Sequence, residues 1–138
     1  MPDKGGLDFQ LTWQGKGDNL HLLWDYGLID REMQREGVDE AGYVHALQAR
    51  PPLPADPTRR SDRPAVEWAE ESCRIVRDGA LYPSTHVLGD EYLDAHRAQM
   101  EQRLRLAGSR LADMQLSKPR GFGEWLEARL LKFALAEK

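Results

Sequence analysis

The chain has little that would tie it together covalently or anchor it. Its one cysteine, Cys73, allows no internal disulfide, so packing must hold the fold; placed inside a helical pattern, it is expected to be a small buried apolar residue. Apolar runs are only a few residues long, far short of the roughly 20 needed to cross a bilayer, and the first residues lack the apolar core of a signal peptide. Positive charge is not in excess: 19 Lys and Arg stand against 23 Asp and Glu, a net charge of −4. Duplex binding rests on basic residues that neutralise phosphates, so a generic DNA-binding domain is excluded. There is no internal repeat, no low-complexity tract, and no serine or cysteine with an adjacent base that would make it a nucleophile. What remains is 138 residues, 41% hydrophobic and 30% charged, enough for one compact domain with a core.

The informative stretch is Gly17-Asp18-Asn19-Leu20-His21-Leu22-Leu23-Trp24-Asp25. Residues at i and i+4 lie one above the other on a helix face, so His21 and Asp25 can close on one divalent ion. Both are ordinary zinc ligands, although the same spacing also fits a solvated surface pair. Asp18 is the N-cap candidate for this helix, and Asn19 suits either a hydrogen bond that orients a ligand or a place at the helix start.

The elements around the motif follow from periodicity and punctuation. Residues 8–14 alternate polar with apolar, as a half-buried strand does, and Gly15-Lys16-Gly17 turns the chain. Leu20, Leu23, Trp24 and Leu28 form the buried stripe of the next helix, with Gly27 a weak point and Gly37 its stop. A helix over 39–49 packs Tyr43, Ala46 and Leu47. Residues 50–64 hold five of the eight prolines and are expected to be an extended connector without regular structure. The next helix, 64–78, opens on Pro64, buries Trp68, Ala69, Ser72, Ile75 and Val76, and closes at Gly79. The longest, 89–115, carries a stripe of Leu93, Met100, Leu104, Ala107, Leu111 and Met114, and Gly108 within it implies close helix contact. After Lys118-Pro119-Arg120-Gly121 an amphipathic tail follows, with Trp125, Leu126, Leu130 and Phe133 on one face. His45, His86 and His96 share no spacing with His21 and read as surface or structural residues.

Asn19-Leu20-His21-x-x-Trp24-Asp25, preceded by Asp3-Lys4-Gly5-Gly6 and a short strand, resembles the zinc-dependent single-strand nuclease family of mung bean nuclease and the fungal S-one/P-one enzymes. Trp68-Ala69-Glu70-Glu71-Ser72 with Leu81-Tyr82 looks like that family's later helix. Tyr92 and Ala107-Gly108-Ser109-Arg110-Leu111-Ala112 look like its final one. The three segments keep the family's order across residues 3–114. Leu7 departs from the pattern, standing where the family has asparagine.

The resemblance implies a mainly α fold, a helical bundle of the zinc nuclease/phospholipase C type with a short amino-terminal β segment, over residues 1–116, with 117–138 an additional tail. It implies hydrolysis of phosphodiesters in single-stranded DNA or RNA, with release of 3′-phosphate from nucleotides as a further activity. The cofactor implied is zinc, up to three ions, of which His21 and Asp25 hold one with Asn19 in support; no side chain here serves as acid, base or nucleophile. The family's Gly-Asp-x-His-Gln-Pro-Leu-His segment is not in this sequence, so the chain reads as the carboxy-terminal portion of a secreted or periplasmic enzyme, weak or inactive without the rest. A phospholipid phosphodiester is a second substrate class. A noncatalytic helical interaction module, or a decayed enzyme, is the alternative from another functional class.

Overall fold

The computed structural model describes residues 3–116. It comprises two compact units, Met1–Leu106 and Ala107–Lys138, and the described part of the second is the end of one helix. The tail expected at 117–138 lies outside the described residues.

The chain is mainly α, with a small sheet near its start. Strand β1, Gln10–Trp13, falls within the alternating stretch and buries Leu11 and Trp13. Its neighbour β2, Lys16–Asn19, was not expected: Gly17 lies in a strand, paired antiparallel with Thr12, rather than in a turn. The turn is instead Gln14-Gly15, with φ of 48° and 77°. Two consecutive left-handed residues are what a two-residue hairpin of right-twisted strands requires. Strand β3, Val87–Leu88, pairs parallel with β1 and gives the order β2-β1-β3.

Helix α1, Leu20–Leu22, runs through a π turn at Leu23–Gly27 into α2, Leu28–Glu36. The N-cap is Asn19, not Asp18: the Asn19 side chain accepts from the Leu22 amide at 3.0 Å, while Asp18 accepts from the Asn19 amide. Leu20, Leu23 and Leu28 are buried as their spacing predicts, and Trp24 is half-buried. Gly27 is a close-approach position, since a β-carbon there would lie 3.1 Å from Leu23 Cδ1 and 3.6 Å from Trp13 Nε1. Gly37, at φ 65°, ends α2 in the left-handed C-cap conformation. Helix α3, Glu40–Gln48, buries Tyr43 and Leu47.

The proline-rich connector is not wholly irregular. Pro57–Arg60 form a 3₁₀ turn because Asp56 accepts from both the amide and the hydroxyl of Thr58. Helix α4, Pro64–Asp78, starts and stops where proline and glycine predict, yet none of its residues is buried. Ala69, Ser72, Val76 and Cys73 are exposed, and Trp68 and Ile75 only half-buried, so the expected buried face and the expected buried cysteine are both wrong. Periodicity marks which face is apolar; a packed neighbour is needed to bury it, and α4 has polar links instead. Trp68 Nε1 donates to Thr58 Oγ1, and Arg103 pairs with Glu71 and donates to Ser72 Oγ.

Helix α5, Asp90–Leu116, matches its expected extent. Its stripe is buried only in the first half: Leu93 and Met100 are in the core, whereas Leu111 and Met114 are more than half exposed. A β-carbon at Gly108 would meet nothing within 4 Å among the described residues, so no close contact explains that glycine. Charged pairs join α2 to α5. Arg31 holds Asp90 through two bonds of 2.7 Å, Arg35 holds Asp94, and Arg97 holds the buried Glu32 at 3.0 Å.

Candidate metal centre

The first turn of α1 leaves three amides without partners inside the helix, and each finds one outside it. Leu20 donates to the Phe9 carbonyl, His21 to the Gly6 carbonyl, and Leu22 to the Asn19 side chain. His21 therefore sits on a helix start pinned from the hairpin side and from the loop at Gly5-Gly6. Its ring is held as well. Nδ1 lies 3.1 Å from the Gly5 carbonyl, which can only accept, so Nδ1 carries a proton and the ring is held by that bond with Nε2 on its open side.

Nε2 faces Asp25. His21 Nε2 and Asp25 Oδ2 are 3.2 Å apart, with both side chains about half exposed. The i,i+4 spacing thus brings the two predicted ligands together, although the segment between them is the π turn rather than a plain α-helix. Such turns recur at functional sites. A ring nitrogen with its other nitrogen tied to a carbonyl, beside a carboxylate, is the donor chemistry of a zinc ligand pair. Asn19 contributes through its cap bond at the helix start, one of its two expected roles.

A cavity of about 240 Å³ opens beside the pair, with Leu20, Trp24, Val76, Leu81 and Tyr82 among its walls. Trp24 Nε1 donates to the Tyr92 hydroxyl at 2.9 Å, and Tyr92 donates on to the Leu81 carbonyl. Burial pushes the Tyr92 hydroxyl above its ordinary range, which keeps it a donor. On the rim, Tyr82 donates to Asp3, and that bond holds the Asp3 carboxyl below its usual range.

No other donor joins His21 and Asp25: among the described residues there is no group of three His, Cys, Asp or Glu side chains able to hold a metal. His86 stacks on Phe9 with ring centroids 4.6 Å apart, and His96 stacks on Tyr92 at 4.2 Å. Both are structural residues, as expected, and His96 is half-buried. Sequence reasoning left out the Gly5 carbonyl and the walls contributed by Val76 and Leu81. The paired glycines were the available signal for the first; nothing local marks the second, because those residues come from distant elements.

No curated protein matches the chain. The family model for S1/P1 Nuclease matches residues 1–117, a span that takes in the hairpin, the His21–Asp25 pair, α4 and α5 to its end. With that match over most of its length, the chain belongs to the S1/P1 nuclease family.

Proposed function

We propose that His21 and Asp25 supply two protein ligands of a zinc site in a nuclease that hydrolyses phosphodiesters of single-stranded DNA or RNA, with 3′-nucleotidase activity as a second outlet. The observation that carries this reading is the pair itself: Nε2 and Oδ2 at 3.2 Å, with Nδ1 committed to the Gly5 carbonyl. A zinc ion held there supplies Lewis acidity and local positive charge where a phosphodiester is cleaved. The chain's own residues hold and orient the ligands and offer the cavity wall of Trp24, Tyr82 and Leu81 beside them. An aromatic and apolar wall suits an unstacked base better than a closed duplex, and the local cation offsets the acidic net charge. Catalytic zinc takes three protein ligands, so the site is completed by groups outside the described residues, and the chain alone is expected to be a poor enzyme.

The test is metal-linked stability followed by activity. Zinc added to chelator-treated chain raises the thermal midpoint, by the equivalent of about 2.7 kcal/mol when free zinc is a hundredfold above Kd. His21→Ala loses that response, together with any zinc-restored cleavage of single-stranded oligonucleotides. A midpoint and cleavage indifferent to zinc, chelator and His21→Ala would sink the reading. The noncatalytic interaction module would then lead, and it has one observation in its favour: α4 buries none of its residues, and its Val66 and Val76 are nearly half exposed.

A further inference from the structure

Lys4, Gly5 and Gly6 are three successive residues with positive φ, at 54°, 69° and 93°. For residues with a β-carbon the left-handed region is unfavourable, and a run of three needs a cause. The cause lies at His21. The loop turns two consecutive carbonyls onto this one residue: the Gly5 carbonyl accepts from its ring Nδ1 at 3.1 Å, and the Gly6 carbonyl from its backbone amide at 3.4 Å. Gly6 is buried, and a β-carbon on it would stand 3.0 Å from the His21 amide nitrogen and 3.2 Å from Leu20 Cβ. Those neighbours are the first turn of α1 and cannot swing aside as a flexible side chain would. Gly5 is different: a β-carbon there would come no nearer than 3.9 Å, to His21 Nδ1.

We propose that Gly6 is a positioning residue for the metal pair: the lack of a side chain lets the loop close on the helix start, so that the Gly5 carbonyl holds the His21 ring by its Nδ1–H and turns Nε2 toward Asp25. This rests on the zinc reading above and names the backbone device that prepares the ligand. A side chain at residue 6 pushes the loop off the helix, removes the acceptor from Nδ1, and leaves the ring free to rotate Nε2 away from Asp25. Partners of this kind are worth about 10- to 100-fold in metal affinity.

The experiment compares the full chain, Gly6→Ala and Gly15→Ala. Gly15 has the same left-handed strain, at φ 77°, with nothing within 4 Å of a built β-carbon, so it controls for backbone cost alone. Long-range nitrogen–proton correlation spectra of the neutral His21 ring report the tautomer without metal, and a zinc titration then reports affinity. Wild type and Gly15→Ala are expected to show Nδ1 protonated and equal zinc affinity. Gly6→Ala is expected to lose the signature of an Nδ1 proton bonded to a carbonyl and to bind zinc tenfold or more weakly. A folded Gly6→Ala with unchanged tautomer and affinity overturns the proposal. So does a wild-type ring whose Nδ1 carries no proton, a result that needs no variant to fold. Zinc that leaves the wild-type His21 signals unmoved overturns the zinc reading instead, and the two failures are distinct because the tautomer is read before metal is added.

Discussion

The segment from β1 to α2 and the helix α4 start from similar sequence signals and end in opposite situations. Each has clear punctuation and an apolar face at helical spacing. In the first, Leu23 and Leu28 have no exposed surface, three first-turn amides are satisfied from outside the helix, and Gly27 admits Trp13 against the backbone. In α4 no residue is buried, and its links to Thr58 and Arg103 are polar. An amphipathic pattern is therefore a statement about a face. Burial depends on another element arriving there.

Core truncation gives the largest expected contrast between the two. Leu28→Ala should lose about 2–5 kcal/mol, since it removes a fully buried side chain and leaves a cavity. Val76→Ala should stay within about 0.5 kcal/mol, as a surface substitution does. Urea denaturation of both variants measures the difference, and equal losses would mean that α4 is covered in solution.

The cap sharpens the comparison at smaller scale. Asn19→Ala should cost about 1 kcal/mol by freeing the Leu22 amide, more than Asp18→Ala, which touches no helical amide. Thermal melts of the two variants decide which residue caps α1.

The smallest effect concerns Tyr43, whose buried hydroxyl has no hydrogen-bond partner among the described residues. Burial first, then the charges of Glu101, Glu32 and Glu36, push this phenol from 10.0 up to about 12. The unfolded chain therefore ionises first as pH rises. The stability that the neutral phenol contributes is complete below pH 10 and is lost as pH climbs toward about 12. Tyr43→Phe should leave stability near neutral pH almost unchanged and flatten this alkaline limb, which chemical denaturation at pH 8 and pH 11 would compare.

Much of the fold was legible because its signals are local. Pro64 and Gly79 bracket α4, Gly37 stops α2, and the leucine spacing of the first helix gave the right buried stripe. The misread positions were those where a neighbour in space, not in sequence, has the deciding role. Gly17 pairs in a strand because Gln14-Gly15 can turn, and the 3₁₀ turn follows from one aspartate side chain. In the candidate site, His21 and Asp25 could be named from spacing alone, but the anchoring of the ring could not, since it depends on a carbonyl 16 residues earlier.

The sequence by itself determined which residues can be ligands, where most helices begin and end, and which faces are apolar, because spacing and backbone preference act over a few residues. Only the tertiary structure decided which apolar faces are covered, which asparagine or aspartate caps the helix, and which nitrogen of His21 is tied to a carbonyl. Each of those depends on a partner delivered by chain folding. A carbonyl, a packed side chain or an empty flank cannot be read from the residue that meets it.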